Sequence, residues 1–282
     1  MMPMTYTMKM CTSVASQLSD YPIVILSFLH VQSNGELLLN FESISSTPDP
    51  CIYPGIQQLI ANNQLPFLSI GGTNSGVAPG DYSNILNNYD TFWSNLKGVL
   101  QTYNFAGVDL DLETTYEPYL DILVTLVNDL SAAGYLVIAP PYESMGFWQQ
   151  LATQSGFPGG YPKIFAYNIQ TYANTGVPPA TQVRSWVDGF SKITPVPQEF
   201  IGSGYLSGTN TPAQITDTLN TVLQSEPSSF LAFMWRFPTY ATGFDAADYA
   251  AAVEAAAGPQ PDVKARVKAH YDRLATLKGK TA

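Results

Sequence analysis

Along the chain, short runs of β-branched, aromatic and aliphatic residues alternate with longer stretches whose apolar positions recur at three- and four-residue steps. The runs fall at 6–10, 23–31, 67–71, 107–112, 135–139, 164–170, 200–206 and 230–237. Each is followed by a helix-length amphipathic stretch, so a strand-then-helix unit recurs eight times. That pattern predicts the α/β class and, within it, a closed parallel (β/α)8 TIM barrel in a single domain. Helix ends carry their own signals. Thr211-Pro212 supplies an N-cap and a first-turn proline ahead of Ile215, Leu219, Val222 and Leu223, and Asp245 caps a helix that Gly258 closes. Pro118 opens a helix carrying Leu120, Leu123, Val124, Val127 and Leu130, and Gly134 ends it. The first run alternates but sits at a terminus, where ends fray; without it, seven strands would make an open sheet.

Charge divides the chain in two. Residues 1–258 hold 6 Lys/Arg against 20 Asp/Glu, a balance of −14, whereas residues 259–282 hold 6 Lys/Arg against Asp262 and Asp272, a balance of +4. The barrel is therefore expected to span 1–258. After the stiff Pro259-Gln-Pro261, the spacing of Val263, Val267, Tyr271, Leu274 and Leu277 predicts a basic amphipathic C-terminal helical tail over 259–282.

Composition narrows the chemistry. With 45% hydrophobic residues over 282 positions the chain can bury a large core, which excludes disorder and a disulfide-stapled miniprotein. Only 12% of residues are charged, about half the ~25% usual for soluble domains, so the surface suits neutral partners. A net charge of −10 argues against nucleic acid as a partner, because neutralising phosphates needs Lys and Arg. His30 and His270 are the only histidines, which rules out a three-histidine zinc site and leaves Ser-His or Cys-His catalysis to His30 alone. At the end of the second run, His30 reads as a satisfied structural histidine. Cys11 and Cys51 allow one disulfide, without identifying the compartment. No run of about 20 predominantly apolar residues exists, so no membrane partner is expected. Residues 1–10 lack an apolar stretch of signal-peptide length, as in a mature or intracellular chain.

Gly71-Gly-Thr-Asn-Ser-Gly76 follows a strand but lacks the Gly-Lys-Ser/Thr ending of a phosphate cradle, and it reads as a loop bordering a site. The densest chemical signal is Phe105-Ala-Gly-Val-Asp-Leu-Asp-Leu-Glu113. Strand alternation puts Asp109, Asp111 and Glu113 on one face and Val108, Leu110 and Leu112 on the other. In a barrel the apolar set packs under the helices and the acids point inward. Such burial is costly unless the acids are protonated, hydrogen-bonded or metal-bound, which marks them as functional candidates. Glu113 lies at the strand's C-terminal end, where barrel enzymes hold their chemistry. Two other readings compete: an exposed edge strand with its acids in water, or an oxygen-ligand site for Mg²⁺ or Ca²⁺.

The acidic segment resembles the Asp-x-x-Asp-x-Asp-x-Glu signature of family 18 glycoside hydrolases, the chitinases and endo-β-N-acetylglucosaminidases, with Ala106 in place of the first Asp. The likeness runs over most of 5–258. Leu68-Ser-Ile-Gly-Gly72 is similar to the family's Ser-x-Gly-Gly, Val24-Ile-Leu-Ser-Phe-Leu29 to its second strand, and Ile138-Ala-Pro140 to the Ala-Pro after strand five. Gln170-Thr-Tyr172 resembles the Gln-x-Tyr of hevamine-like chitinases, and Phe233-Met-Trp235 the strand-eight tryptophan. The resemblance implies substrate-assisted hydrolysis with retention at β-1,4 bonds next to N-acetylglucosamine, in which the substrate's own acetamido oxygen attacks the anomeric carbon. It assigns Glu113 as acid and base, Asp111 as the group that orients the acetamide, Asp109 as a deeper proton partner and Tyr172 as a donor to the acetamide oxygen. Trp235 becomes the apolar floor. Gln170, Phe28, Gly71, Gly72, Tyr142 and Glu143 are the further substrate-binding candidates, with Trp148 a possible lining residue. Neither cofactor nor metal is implied. The implied partner is an N-acetylglucosamine-containing polysaccharide or glycan, met by a monomer secreted in its mature form. Cis peptides are implied at Ser27-Phe28 and Trp235-Arg236. A chitinase-like lectin or inhibitor that binds sugar without turnover is the non-enzymatic alternative. Ala106 removes a buried charge and a proton-relay group, implying a reduced rate or shifted pH profile.

Overall fold

Period-two runs become strands and period-3.6 stretches become helices in a computed structural model that describes residues 3–258 apart from 7–9, 73–79, 114–115, 142, 158–161, 175, 194–195, 230 and 238–239, together with Ala265. Its strands are β1 (Pro3–Tyr6), β2 (Ile23–Val31), β3 (Leu37–Leu39), β4 (Glu42–Ile44), β5 (Leu65–Gly71), β6 (Gly107–Asp111), β7 (Leu136–Ala139), β8 (Ile164–Ile169), β9 (Ile201–Leu206) and β10 (Leu231–Phe237). Eight of them run parallel in the order β1-β10-β9-β8-β7-β6-β5-β2, and β1 also pairs with β2, so the sheet closes into a barrel. The first strand lies at 3–6, paired on both sides, rather than at 6–10; residues 7–9 of that expected run are outside the described set. The basic tail falls there too, apart from Ala265.

Helices α1 (Thr12–Ala15), α2 (Ile52–Ala61), α3 (Asp81–Asn87), α4 (Tyr89–Tyr103), α5 (Leu120–Ala133), α6 (Met145–Ser155), α7 (Pro179–Ile193), α8 (Pro212–Ser225) and α9 (Ala246–Ala257) cover the barrel. The expected caps form. Thr211 and Gln214 make a reciprocal capping box on α8, Asp245 and Asp248 make one on α9, and Gly134 ends α5 in the left-handed conformation. Cys11, before α1, is bridged to Cys51, before α2, with 4.8 Å between their Cα atoms.

Apolar side chains separate into two bodies. Outward residues such as Val108, Leu110, Leu68 and Val137 join the large core beneath the helices. Inside the barrel, Ile23, Ile25, Phe67, Leu136, Ile138, Phe165 and Leu231 fill the lower end, with Ala106 packed against them. Above this plug the interior turns polar, and the acidic strand supplies that change. The unexpected element is the hairpin of β3 and β4, which attaches antiparallel to the C-terminal end of β2.

Candidate active site

Strand β6 runs between β5 and β7 in the middle of the ring, which removes the edge-strand reading of its acids. Asp109 and Asp111 are buried, at 3% and 6% exposure, and Glu113 is half-buried just past the strand end. The three rise through the barrel as a column. At its base Ser69 Oγ, paired across from β5, donates to Asp109 Oδ2 at 2.6 Å. The other oxygen, Oδ1, is buried with no hydrogen-bond partner among the described residues.

Asp111 and Glu113 form the upper pair. Gln170, just beyond β8, has its Nε2 at 3.0 Å from Asp111 Oδ1, 3.1 Å from Glu113 Oε1 and 2.8 Å from the carbonyl oxygen of Pro140. Because all three can accept, the amide must present its nitrogen here. Asp111 and Glu113 are also hydrogen-bonded to each other. Burial and the neighbouring charges of Glu113 and Asp109 hold the Asp111 carboxyl well above the usual carboxylate range. Burial likewise raises Glu113, against the opposing effect of the Gln170 and Asp111 hydrogen bonds. For Asp109, burial lifts the carboxyl to about 7, with the Ser69 bond pulling it down and Glu113 pushing it up. Burial and mutual repulsion therefore favour the protonated form at all three carboxyls.

A cavity of about 280 Å³ opens over this pair, lined by Phe28, Asp111, Glu113, Gln170, Tyr172, Ala173 and Trp235. Its walls come from four strand ends, β2, β6, β8 and β10, brought together by barrel closure. Phe28 and Trp235 face each other with ring centroids 5.3 Å apart. Tyr172 is braced edge-on by Phe233, 6.0 Å between centroids, and burial with the three acids nearby keeps its hydroxyl protonated and able to donate. The Ser27-Phe28 peptide is cis. The second such expectation, at Trp235-Arg236, involves Arg236, whose side chain is outside the described set.

The glycine pair serves the site through backbone geometry. Gly71 and Gly72 have φ of +106° and +87°, and Gly72 N–H donates to the Asp111 carbonyl at 2.8 Å. A side chain on Gly71 would strike that carbonyl, and one on Gly72 would strike the Phe28 ring. Both glycines border a second, narrow space of about 40 Å³ with Asp81, Tyr82, Glu113 and Tyr119, on another side of the same carboxyl group.

Of the remaining candidates, Glu143 is exposed and is not among the described lining residues, and Tyr142 falls outside the described residues. Trp148 is fully buried and packs edge-on against Tyr116 and Phe147, so it belongs to the core. His30 is satisfied, its Nδ1 3.0 Å from Asp81 Oδ2. The expected glycine-rich loop lies largely in 73–79, outside the described residues. As for the metal reading, the column does not converge on one point. Among the described residues no group of three or more His, Cys, Asp or Glu is placed to hold a metal ion.

Sequence reasoning placed Ser69 in the Ser-x-Gly-Gly likeness without giving it a role, and it missed Asp81, Tyr82 and Tyr119. Asp81 was findable as the acid directly after a loop glycine at a helix start. The tyrosines look like ordinary core residues in any window.

No protein-family model matches the chain, and none of the curated proteins matches it. Solved structures share its fold. A fungal endo-β-N-acetylglucosaminidase of glycosyl hydrolase family 18 superposes with a TM-score of 0.68 at 14% identity, covering 93% of this chain and 99% of its own. A chitinase from Aspergillus fumigatus gives 0.67 at 15% identity, covering 96% and 99%. A family 18 chitinase from Pseudoalteromonas aurantia gives 0.64 at 17% identity, covering 97% and 100%. At these identities the likeness establishes a common barrel.

Proposed function

We propose that the chain is a family 18 glycoside hydrolase that cleaves β-1,4 bonds next to N-acetylglucosamine with retention, a hevamine-like chitinase acting on chitin or its oligomers. The observation that carries this reading is the carboxyl pair Asp111–Glu113, joined by the Gln170 amide, beneath a cavity whose other walls include Tyr172 and the rings of Phe28 and Trp235. The acids, Gln170 and Tyr172 occupy a barrel of the kind on which chitinases and an endo-β-N-acetylglucosaminidase are built.

The chemistry follows from the proton. A sugar seated on Trp235 brings its acetamide N–H to Asp111, which accepts best as a carboxylate, so the proton of the pair is held by Glu113. Glu113 then gives it to the glycosidic oxygen as the bond from that oxygen to the anomeric carbon breaks. The acetamido oxygen forms a new bond to that carbon from the opposite face, making an oxazolinium ion. Its positive charge lies against Asp111, and Tyr172 donates to the acetamide oxygen and holds it in line. Water attacks next and loses its proton to Glu113. The oxazolinium opens, the product keeps its β configuration, and the enzyme returns to its starting state. Two inversions at one carbon give retention without an enzyme nucleophile.

Chitohexaose hydrolysis followed by proton NMR tests this reading. β-Anomeric reducing ends should appear before mutarotation; α-anomers first, or no cleavage, would refute it. The fold shared with the fungal endo-β-N-acetylglucosaminidase favours one second reading, action on the chitobiose core of N-glycans. Activity confined to a high-mannose glycoprotein would select it over chitin.

A further inference from the structure

The hairpin of β3 and β4 stands at the C-terminal end of β2, beside the cavity mouth. Its two-residue turn, Asn40-Phe41, has positive φ at both positions, 50° and 68°. Turns of this shape favour Asn-Gly, because a bulky residue in the left-handed region is strained. Phe41 nevertheless carries a full ring there, and the ring is 56% exposed. Neither turn geometry nor core packing requires it.

The ring is also held in place. It stacks on His30 with centroids 4.9 Å and planes 18° apart. His30 is fixed in turn by Asp81 Oδ2 at 3.0 Å, while Asp81 Oδ1 accepts from Val31 N–H at 2.7 Å. Asn40 N–H donates to the Phe28 carbonyl at 3.1 Å, tying the turn to a residue that walls the cavity. Rings then follow one another inward, with His30 to Phe28 at 6.4 Å and Phe28 to Trp235 at 5.3 Å.

We infer that the outer face of Phe41 is a stacking platform for an N-acetylglucosamine unit of the substrate chain remote from the cleaved bond, and that it makes the enzyme favour long chains over short ones. The inference rests on the proposed hydrolase activity. A pyranose presents a face of C–H groups that suits a flat, immobilised ring, and a rigid platform adds affinity with little ordering cost. The row of rings is continuous with the cavity floor, so the occupant is the same polymer that enters the cavity.

Phe41→Gly and Phe41→Asn test this, since both residues accept the turn's φ. Each variant should keep its Tm and its kcat and KM on a chromogenic chitobioside. KM on chitohexaose should rise about tenfold with kcat retained, the size expected for losing one aromatic contact. Phe41→Trp should restore the hexaose KM. An unchanged ratio of the two KM values, an equal loss on both substrates, or unfolding of both variants would overturn the platform. Absence of wild-type turnover on either substrate would instead overturn the hydrolase activity beneath it.

Discussion

Ser69 Oγ donates to Asp109 Oδ2 at 2.6 Å, holding one side of a carboxyl group that is sealed beneath the cavity. The opposite oxygen has no partner among the described residues. Burial outweighs the serine and lifts Asp109 to about 7 from an ordinary value of 3.8.

Stability should therefore fall as pH rises. The folded protein binds the Asp109 proton more tightly than the unfolded chain, so this contribution is complete below about pH 4 and is lost as pH climbs through about 7. At most it amounts to roughly 4 kcal/mol, the equivalent of about three pKa units. Thermal melts from pH 4.5 to 8 should show Tm declining across this window, and Asp109→Asn should flatten the decline. A wild-type Tm that rises to pH 8, or a variant with the same slope, contradicts the assignment.

Gln170 tunes the upper pair, since its amide favours the charged form of both Asp111 and Glu113. Gln170→Leu removes that donor, so the pKa values of both carboxyls should rise. The kcat/KM profile should shift to higher pH by about one unit, the size of one hydrogen bond. A shift toward acid would show that the amide does not act on these groups.

The eight-strand barrel was legible because barrel strands and their covering helices have different periods, and because Gly107 through Glu113 display both faces of a strand in one segment. The hairpin escaped notice. Its strands are three residues each, and Asn40-Phe41 lacks the glycine that announces such a turn. Residue types and spacing exposed the column of acids, whereas the role of Ser69 emerges only from pairing of β5 with β6, and Asp81 enters only through folding of α3 onto β2. Trp148 was open either way in the sequence: an indole in the helix after β7 suits a cleft or a core equally well, and packing puts it in the core.

Ala106 shows what the altered motif does to packing. Its methyl group joins the apolar plug with Ile25, Phe67 and Leu136. Ala106→Asp would place a carboxyl among hydrocarbon side chains, and it should cost about 1–3 kcal/mol in urea unfolding at pH 7. An unchanged midpoint would mean that the barrel base can solvate the acid.

The Cys11–Cys51 bridge spans a sequence separation of 40. Closing a loop of that length constrains the unfolded chain by about 4 kcal/mol, so the Cys11→Ser, Cys51→Ser double variant should melt several degrees lower. Turnover at 25 °C should persist, because neither cysteine is among the described residues that line the cavity. Equal Tm values would show that the bridge adds no stability.

Glu113 remains the test of the whole account. Wild type and Glu113→Gln should be compared on chitohexaose by reducing-end release, with chitotriose binding measured by calorimetry on the same samples. The expected result is a fall in kcat of about 10²–10⁴-fold with chitotriose affinity kept within a few-fold, as for loss of a general acid from an intact site. Equal turnover in the two proteins, or binding of chitotriose with no turnover by either, would contradict it.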